Sequence, residues 1–265
     1  MSNLLNIACL QTQPKSSIRE ALSEALIFAQ EAIKGGAEFL FLPEYCAGLI
    51  SENGKLNPPC SRENEHEFLL EMQSFAKENK VWIMIGSIAV SADNGKIFNR
   101  GFVLDSFGEI ISRYDKIHMF DIQLNPQEAI RESAYVSPGN KAMIINSPYG
   151  NIGHTICYDL RFPELYRNYY KQAVDIIVVP SSFTFSTGRL HWEVLLRARA
   201  IENYCYVLAP NQYGIDGNGA ETYGHSMIVD PYGKVTKCLR NQEAGIVTEE
   251  LKFTKLAERN SIHII

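Results

Sequence analysis

Paired cysteines, surplus basic charge, long apolar runs and low-complexity linkers are all missing from this 265-residue chain, and each absence removes a class of protein. The six cysteines (Cys9, Cys46, Cys60, Cys157, Cys205 and Cys238) lie far apart with no CxxC pair, which argues against a disulfide-stapled secreted domain and against a thiolate zinc site. They are expected to be reduced, and most of them to be packing residues. The histidines form no HExxH or closely paired pattern, so neither a metal nor any other cofactor is expected. A formal net charge of -5 offers nothing to a polyanion, so the expected partner is a small molecule or a protein and not nucleic acid. The opening MSNLLNIACLQTQPK has no basic n-region, sustained apolar run or small-residue cleavage site, and no later run approaches a membrane span. A soluble cytoplasmic protein without membrane association is expected. No linker divides the chain, which predicts a single domain over residues 1–265.

What is present is alternation. With 46% hydrophobic residues the chain can bury a large core, and short apolar runs alternate with longer stretches of helical period, the pattern of layered helices and sheets. LNIACLQ reads as a strand. From Ser17 to Lys34 the positions Ala21, Ala25, Ile27, Phe28, Ala32 and Ile33 form one helix stripe, stopped by Gly35-Gly36. AEFLFLPE follows as a buried strand ended by Pro43. The same grammar repeats through HEFLLEMQSFAKEN (helix), VWIMIGSIAV (strand), NIGHTICYDL (strand into turn), FPELYRNYYKQA (helix), VDIIVVPSS (strand), LHWEVLLRARAIEN (helix) and CYVLAPNQ (strand). GFVLDSFGEIIS and SMIVDPYGKVTK both read as β-hairpins, and laying one on the other puts Asp105 over Asp230 and Gly108 over Gly233. AEFLFLPE and VDIIVVPS match in the same way. The two coincidences predict an internal two-fold, with two similar sheet-and-helix halves packed face to face.

Chemistry-bearing residues sit at the ends of these runs. Cys157 closes NIGHTIC and precedes YDLRFPEL, whose Pro163 opens a helical pattern. A thiol at a strand-to-helix turn projects from a sheet edge beside backbone N–H groups, a nucleophile's position, although a core cysteine is the plainer reading. Glu44 ends AEFLFLPE, suited to general-base work if buried and ordinary if it is a loop acid. Lys116 lies in ISRYDKIHMFD, where period-two alternation puts Lys116 and His118 on one face and Asp115 and Ile117 on the other. A solvated edge lysine is the default there, and Glu132 in RESAYVSPG carries the same default. A Cys-His pair with His154, His118 or His225 as base is the rival arrangement. It is weakened for His154, because a residue three positions before Cys157 on a regular strand faces the opposite side.

Taken together, FLFLPEY around Glu44, YDKIHMFD around Lys116, RESAYVSPG around Glu132 and GHTICYDLRFPELYR around Cys157 resemble the motifs of the nitrilase, or carbon-nitrogen hydrolase, superfamily. SSFTFSTGRLHWEVLLRARAIENYCYV and YGHSMIVDPYGKV resemble its pocket and hairpin segments, so the resemblance spans almost the whole chain. It implies an α/β fold of four αββα layers, two similar halves related by an internal pseudo-two-fold. It also implies a Glu-Lys-Cys triad of Glu44, Lys116 and Cys157, with Glu132 holding the lysine and the substrate amide. In that scheme Cys157 attacks an amide carbonyl to form a thioester, Glu44 moves the protons, and the oxyanion lies between Lys116 and the backbone N–H of Tyr158. A homodimer or higher homo-oligomer, formed through FPELYRNYYKQA and LHWEVLLRARAIEN, is implied as well.

Within the superfamily, SFTFSTGRLHWEVLLRARAIE and TYGHSMIVDPYGKV most resemble the Nit-type amidases, whose branches act on deaminated glutathione or, as ω-amidases, on 2-oxoglutaramate. Both substrates carry a free carboxylate, for which Arg161, Ser182, Thr184 and Thr187 are the candidate ligands. A nitrile substrate is a further option, and a binding or scaffolding protein that has lost catalysis is the alternative from another class. Superfamily members are expected to continue past the final strand into a basic, proline-containing tail that helps order the pocket or the dimer, whereas this sequence closes with AERNSIHII.

Overall fold

The computed structural model describes residues 4–253 apart from 53, 54, 126, 127, 217, 218, 241 and 242, and the closing AERNSIHII lies outside the described residues. Apart from a two-residue strand, Cys60–Ser61, that pairs alongside Ala89 and Val90, the strands of its two main sheets are, in chain order, β1 (Leu4–Gln11), β2 (Phe39–Phe41), β3 (Trp82–Ser91), β4 (Ile97–Leu104), β5 (Ile110–Asp115), β6 (Met143–Ser147), β7 (Gly150–His154), β8 (Ile176–Val178), β9 (Tyr206–Ala209), β10 (Met227–Val229), β11 (Val235–Cys238) and β12 (Gly245–Lys252). Between them run the helices α1 (Ile18–Lys34), α2 (Glu67–Asn79), α3 (Pro163–Lys171) and α4 (Phe185–Asn203).

One sheet has the order β12-β1-β2-β3-β4-β5, the other β6-β7-β8-β9-β10-β11. In each, an antiparallel edge strand is followed by three parallel strands and then by two antiparallel steps. The expected internal two-fold is therefore present, down to single hydrogen bonds. Glu38, just before β2, accepts from the N–H of Asn6, and Asp175, just before β8, accepts from the N–H of Asn151. At the hairpin turns Asp105 accepts from the N–H groups of Phe107 and Glu109, while Asp230 accepts from those of Tyr232 and Lys234. Gly108 and Gly233 take the left-handed φ of 79° and 80° that these turns require.

Period-two alternation divides the apolar residues among three cores, and three cores between packed elements make four layers. Phe39 and Phe41 of β2 meet Ile176 and Val178 of β8 in the core between the sheets. Leu40 and Leu42 face the other way, onto Ala25, Ala29 and Ala32 of α1 and Phe68, Leu69 and Met72 of α2. Ile177 and Val179 likewise face Tyr166 and Tyr169 of α3 and Trp192 and Leu196 of α4. The alanine stripe lets α1 lie close on its sheet. The helix starts at Ser17, whose Oγ accepts the N–H of Glu20 while the Glu20 carboxylate returns to the Ser17 hydroxyl.

Two local expectations need correction. The helix expected over LHWEVLLRARAIEN begins five residues earlier, at Phe185; FSTGR carries no apolar period, and Gly188, which reads as a breaker, is instead the small residue where the ring of Tyr223 leaves no room for a Cβ. The alternation around Lys116 also stops sooner than expected. Ser112, Tyr114 and Lys116 are buried in turn, but β5 ends at Asp115 and His118 turns away to Asp159.

Candidate active site

Pro43 and Pro180 end the equivalent strands β2 and β8, and the site is built where the chain leaves them. The two corners meet over Gly86, where a Cβ would overlap the carbonyl oxygens of Leu42 and Pro43 and the ring of Pro180. Beyond Pro43, Tyr45 takes a left-handed φ of 51°. Its N–H donates to Ser87 Oγ at 2.9 Å, and Gln212 Nε2 donates to the carbonyls of Glu44 and Tyr45 at 2.9 and 3.0 Å. The Glu44 backbone is thus clamped from both sheets, with its side chain 3% exposed.

Cys157 stands three residues past β7. Its N–H donates to the Pro180 carbonyl at 2.9 Å and its φ is 47°, a conformation that costs a residue with a side chain about 1–3 kcal/mol. The corner is held by Asp159, fully buried, which accepts from the N–H of Ile156 at 2.9 Å, the hydroxyl of Tyr114 at 2.6 Å and the N–H of His118 at 3.0 Å. The chain then makes a 3₁₀ turn, Cys157–Arg161, before α3 begins, so the N–H groups beside the thiol belong to that turn and not to the expected helix.

Lys116, 2% exposed, lies between two buried carboxylates. Its Nζ is 2.9 Å from Glu44 Oε1 and 2.9 Å from Glu132 Oε2. Glu132 has no exposed surface and accepts the Phe120 N–H at 2.6 Å, which excludes the surface reading of that residue. Glu44 Oε2 accepts the N–H of Ser182 at 2.9 Å. Burial opposes the charge on Lys116, but Glu132 and Glu44 outweigh it and hold the ammonium well above the ordinary lysine range. Burial, and after it the charge of Glu44, push the Cys157 thiol well above the ordinary cysteine range; Lys116 pulls the other way, and the thiol donates a hydrogen bond to Glu44. The resting group is a neutral thiol against a base.

A cavity of about 250 Å³ opens over this cluster. Every candidate named from the sequence lines it: Glu44, Lys116, Glu132, Cys157, Tyr158, Arg161, Ser182, Thr184 and Thr187. Arg161 lies over the rings of Tyr158 and Phe183, and its Nη2 is 3.3 Å from His191 Nδ1. Thr184 and Thr187 hydroxyls bond each other at 2.7 Å, and the buried Ser182 hydroxyl has no hydrogen-bond partner among the described residues. None of the three rival histidines lines the cavity. His154 is stacked on Tyr114, and burial depresses its pKa to about 3. His118 pairs with Asp159, and His225 bonds the Tyr223 carbonyl. Among the described residues no group of His, Cys, Asp and Glu converges in a way that could hold a metal ion.

Sequence reasoning missed Asn99, Asp159, Tyr45 and Gln212. Asn99 carried a signal: in IFNRGFVL it shares the inward face of β4 with Gly101 and Val103, a polar residue on a core-facing row.

A sandwich doubled on itself, with a carboxylate, an ammonium and a thiol converging beyond its strand ends, is the architecture of a carbon-nitrogen hydrolase. Residues 6–260 match the carbon-nitrogen hydrolase family, and the chain belongs to it. It is 39% identical over 255 residues to deaminated glutathione amidase of Synechocystis, covering 95% of this chain and 93% of the relative. It is 33% identical over 252 residues to human omega-amidase, covering 95% and 90%. Its fold matches the crystal structure of the C. elegans NitFhit protein with a TM-score of 0.85 and 30% identity over 94% of this chain, which spans 61% of that longer chain. It matches S. cerevisiae Nit3, a member of branch 10 of the nitrilase superfamily, with a TM-score of 0.80 and 27% identity, covering 95% and 91%. The chain is accordingly a carbon-nitrogen hydrolase, similar over most of its length to amidases of the Nit type. No described helix is long and apolar enough to cross a membrane.

Proposed function

We propose that the chain hydrolyses the amide of deaminated glutathione through a thioester on Cys157. The observation that carries this reading is the closed cluster in which one ammonium joins Glu44 to Glu132 while the thiol bonds Glu44 in the same cavity. As Sγ attacks the amide carbon, the thiol proton passes to Glu44. The oxyanion is received by Lys116 and the Tyr158 N–H, a kind of donor whose loss costs roughly 2.7–4 kcal/mol in other enzymes. Glu44 protonates the nitrogen, the amine leaves (cysteinylglycine from deaminated glutathione, ammonia from a primary amide) and the thioester remains. Glu44 then takes a proton from water, the resulting hydroxide attacks the thioester, and the expelled sulfur recovers its proton. One group used in this way typically contributes roughly 10²- to 10⁴-fold. Glu132 fixes the lysine and faces the substrate amide, and Arg161, with Ser182, Thr184 and Thr187, binds the substrate carboxylate.

The same reading takes residues 1–265 as one catalytic domain in the cytoplasm, paired into a homodimer. The pairing surface is α4, whose exposed Leu190, Val194 and Ile201 recur at helical spacing beside the exposed Tyr232.

The deciding experiment measures cysteinylglycine release from deaminated glutathione and ammonia release from 2-oxoglutaramate, with wild type beside Cys157→Ala. Cysteine-dependent release, faster from the first, supports the proposal, and faster release from the second makes the protein an ω-amidase. No release from either leaves the scaffold reading. Slow alkylation of Cys157 does not mark a scaffold, because burial keeps the thiol neutral in the enzyme as well.

A further inference from the structure

Glu44 and Glu132 share one ammonium in the buried cluster, so their remaining hydrogen bonds come from other donors. The side chain of Asn99 has no exposed surface. Its Nδ2 donates to Glu44 Oε1 at 2.8 Å and reaches Glu132 Oε1 at 3.4 Å, while the backbone carbonyl of Asn99 accepts the backbone N–H of Lys116 at 3.0 Å. Its Oδ1 has no hydrogen-bond partner among the described residues. The opposite amide orientation would set an oxygen against two carboxylates, so the side chain spends its donors on the cluster and leaves its acceptor unused.

We propose that Asn99 is a positioning residue of the amide-hydrolysing site, one that binds Glu44 and Glu132 into a single fixed arrangement around Lys116. This rests on the amidase reading above. Asn99 does not line the cavity, so its effect travels through the two carboxylates. By donating to an oxygen of each, it holds Glu44 and Glu132 in fixed orientations around Lys116. The groups facing it are Glu44 beyond β2, Lys116 beyond β5, and Glu132 and Tyr135 on the segment after residue 131; Tyr45 and Cys157 complete the ring around the carboxylates. Burial holds Tyr45 and Tyr135 neutral, so neither adds an anion or a titrating partner at ordinary pH.

The test measures kcat and KM against pH for wild type, Asn99→Ala and Asn99→Asp. Asn99→Ala is expected to lower kcat roughly 10- to 100-fold, the size of a lost hydrogen bond to a charged group, with KM nearly unchanged and the acid limb moved to higher pH. Asn99→Asp keeps the shape of the side chain. When protonated its hydroxyl can donate as Nδ2 does, and when ionised it adds a third carboxylate. Its activity relative to wild type is therefore expected to climb as pH falls. A second readout needs no turnover: the pH midpoint for alkylation of Cys157 by iodoacetamide should move up in Asn99→Asp. A scaled-down profile of unchanged shape in both variants, an effect confined to KM, or an unmoved alkylation midpoint would overturn the proposal. Absence of amide hydrolysis by wild type would instead remove the amidase reading, and the alkylation midpoint would still judge Asn99.

Discussion

Beyond Leu42-Pro43 in the first half of the molecule comes Glu44, and beyond Val179-Pro180 in the second comes Ser181, at the equivalent place. The Ser181 hydroxyl only turns back to the Val179 carbonyl at 3.2 Å. The strand registers pair Ile7 with Phe39 and Ile152 with Ile176, so the residue in the first half equivalent to Cys157 is Thr12, five positions past Ile7. Thr12 is buried, and its hydroxyl has no hydrogen-bond partner among the described residues. Neither Thr12 nor Ser181 lines the cavity. The two-fold offers like strand ends in both halves, yet the residues at equivalent places differ. The first half supplies the carboxylates and the ammonium, the second supplies the thiol, and the cluster exists only across the contact between them.

The comparison is most exposed to a change at Lys116. Lys116→Met should cut turnover at least roughly 10²- to 10³-fold and also lower stability by about 3–5 kcal/mol, since two buried carboxylates lose their counter-ion. Adding Glu132→Gln should return part of the stability and none of the turnover. Thr12→Val, in the mirror position, removes a hydroxyl that already lacks a partner and should alter neither by much. Amide-hydrolysis rates and denaturant midpoints of the set read this directly, and equal losses from Lys116→Met and Thr12→Val would break the asymmetry.

A smaller effect separates His154 from its counterpart Cys9. His154 is neutral in the fold down to about pH 3, whereas in the unfolded chain it protonates near ~6.5. Between those values the unfolded state binds more protons, so stability is full above the higher one and falls as the solution is acidified. The slope reaches about 1.4 kcal/mol per pH unit from this residue. Urea midpoints from neutral pH to pH ~5 should fall less steeply in His154→Gln. Burial pushes the Cys9 thiol up, so it takes up no proton in that range.

The smallest effect concerns the shared turns. Asp105→Ala and Asp230→Ala each remove two carboxylate hydrogen bonds at the surface, and each should cost about 1–2 kcal/mol. The turns lie in separate sheets and have no partner in common, so the double variant should show the sum. A pair of clearly unequal costs would limit the two-fold to backbone shape.

Much of the scaffold was legible because its signals are local. The Asp-x-x-Gly turns, the alternating runs ended by proline and the helix stripe after Ser17 each settle their own few residues. The gathering of Glu44, Lys116, Glu132 and Cys157 in one cavity was legible only through resemblance to a family, because the four are far apart in the chain and each is ordinary by itself. What escaped depends on partners distant in sequence: Gln212 reaching across to the carbonyls of Glu44 and Tyr45, Asp159 tying the Cys157 corner to Tyr114 and His118, and Gly188 yielding space to Tyr223.

The neutral state of Cys157 bears on how long the enzyme lasts between encounters with substrate. Peroxide and disulfide exchange attack thiolates, and a sulfur kept as the neutral thiol presents little of that form at rest. The burial that holds the proton on Cys157 also shields the sulfur from oxidative damage.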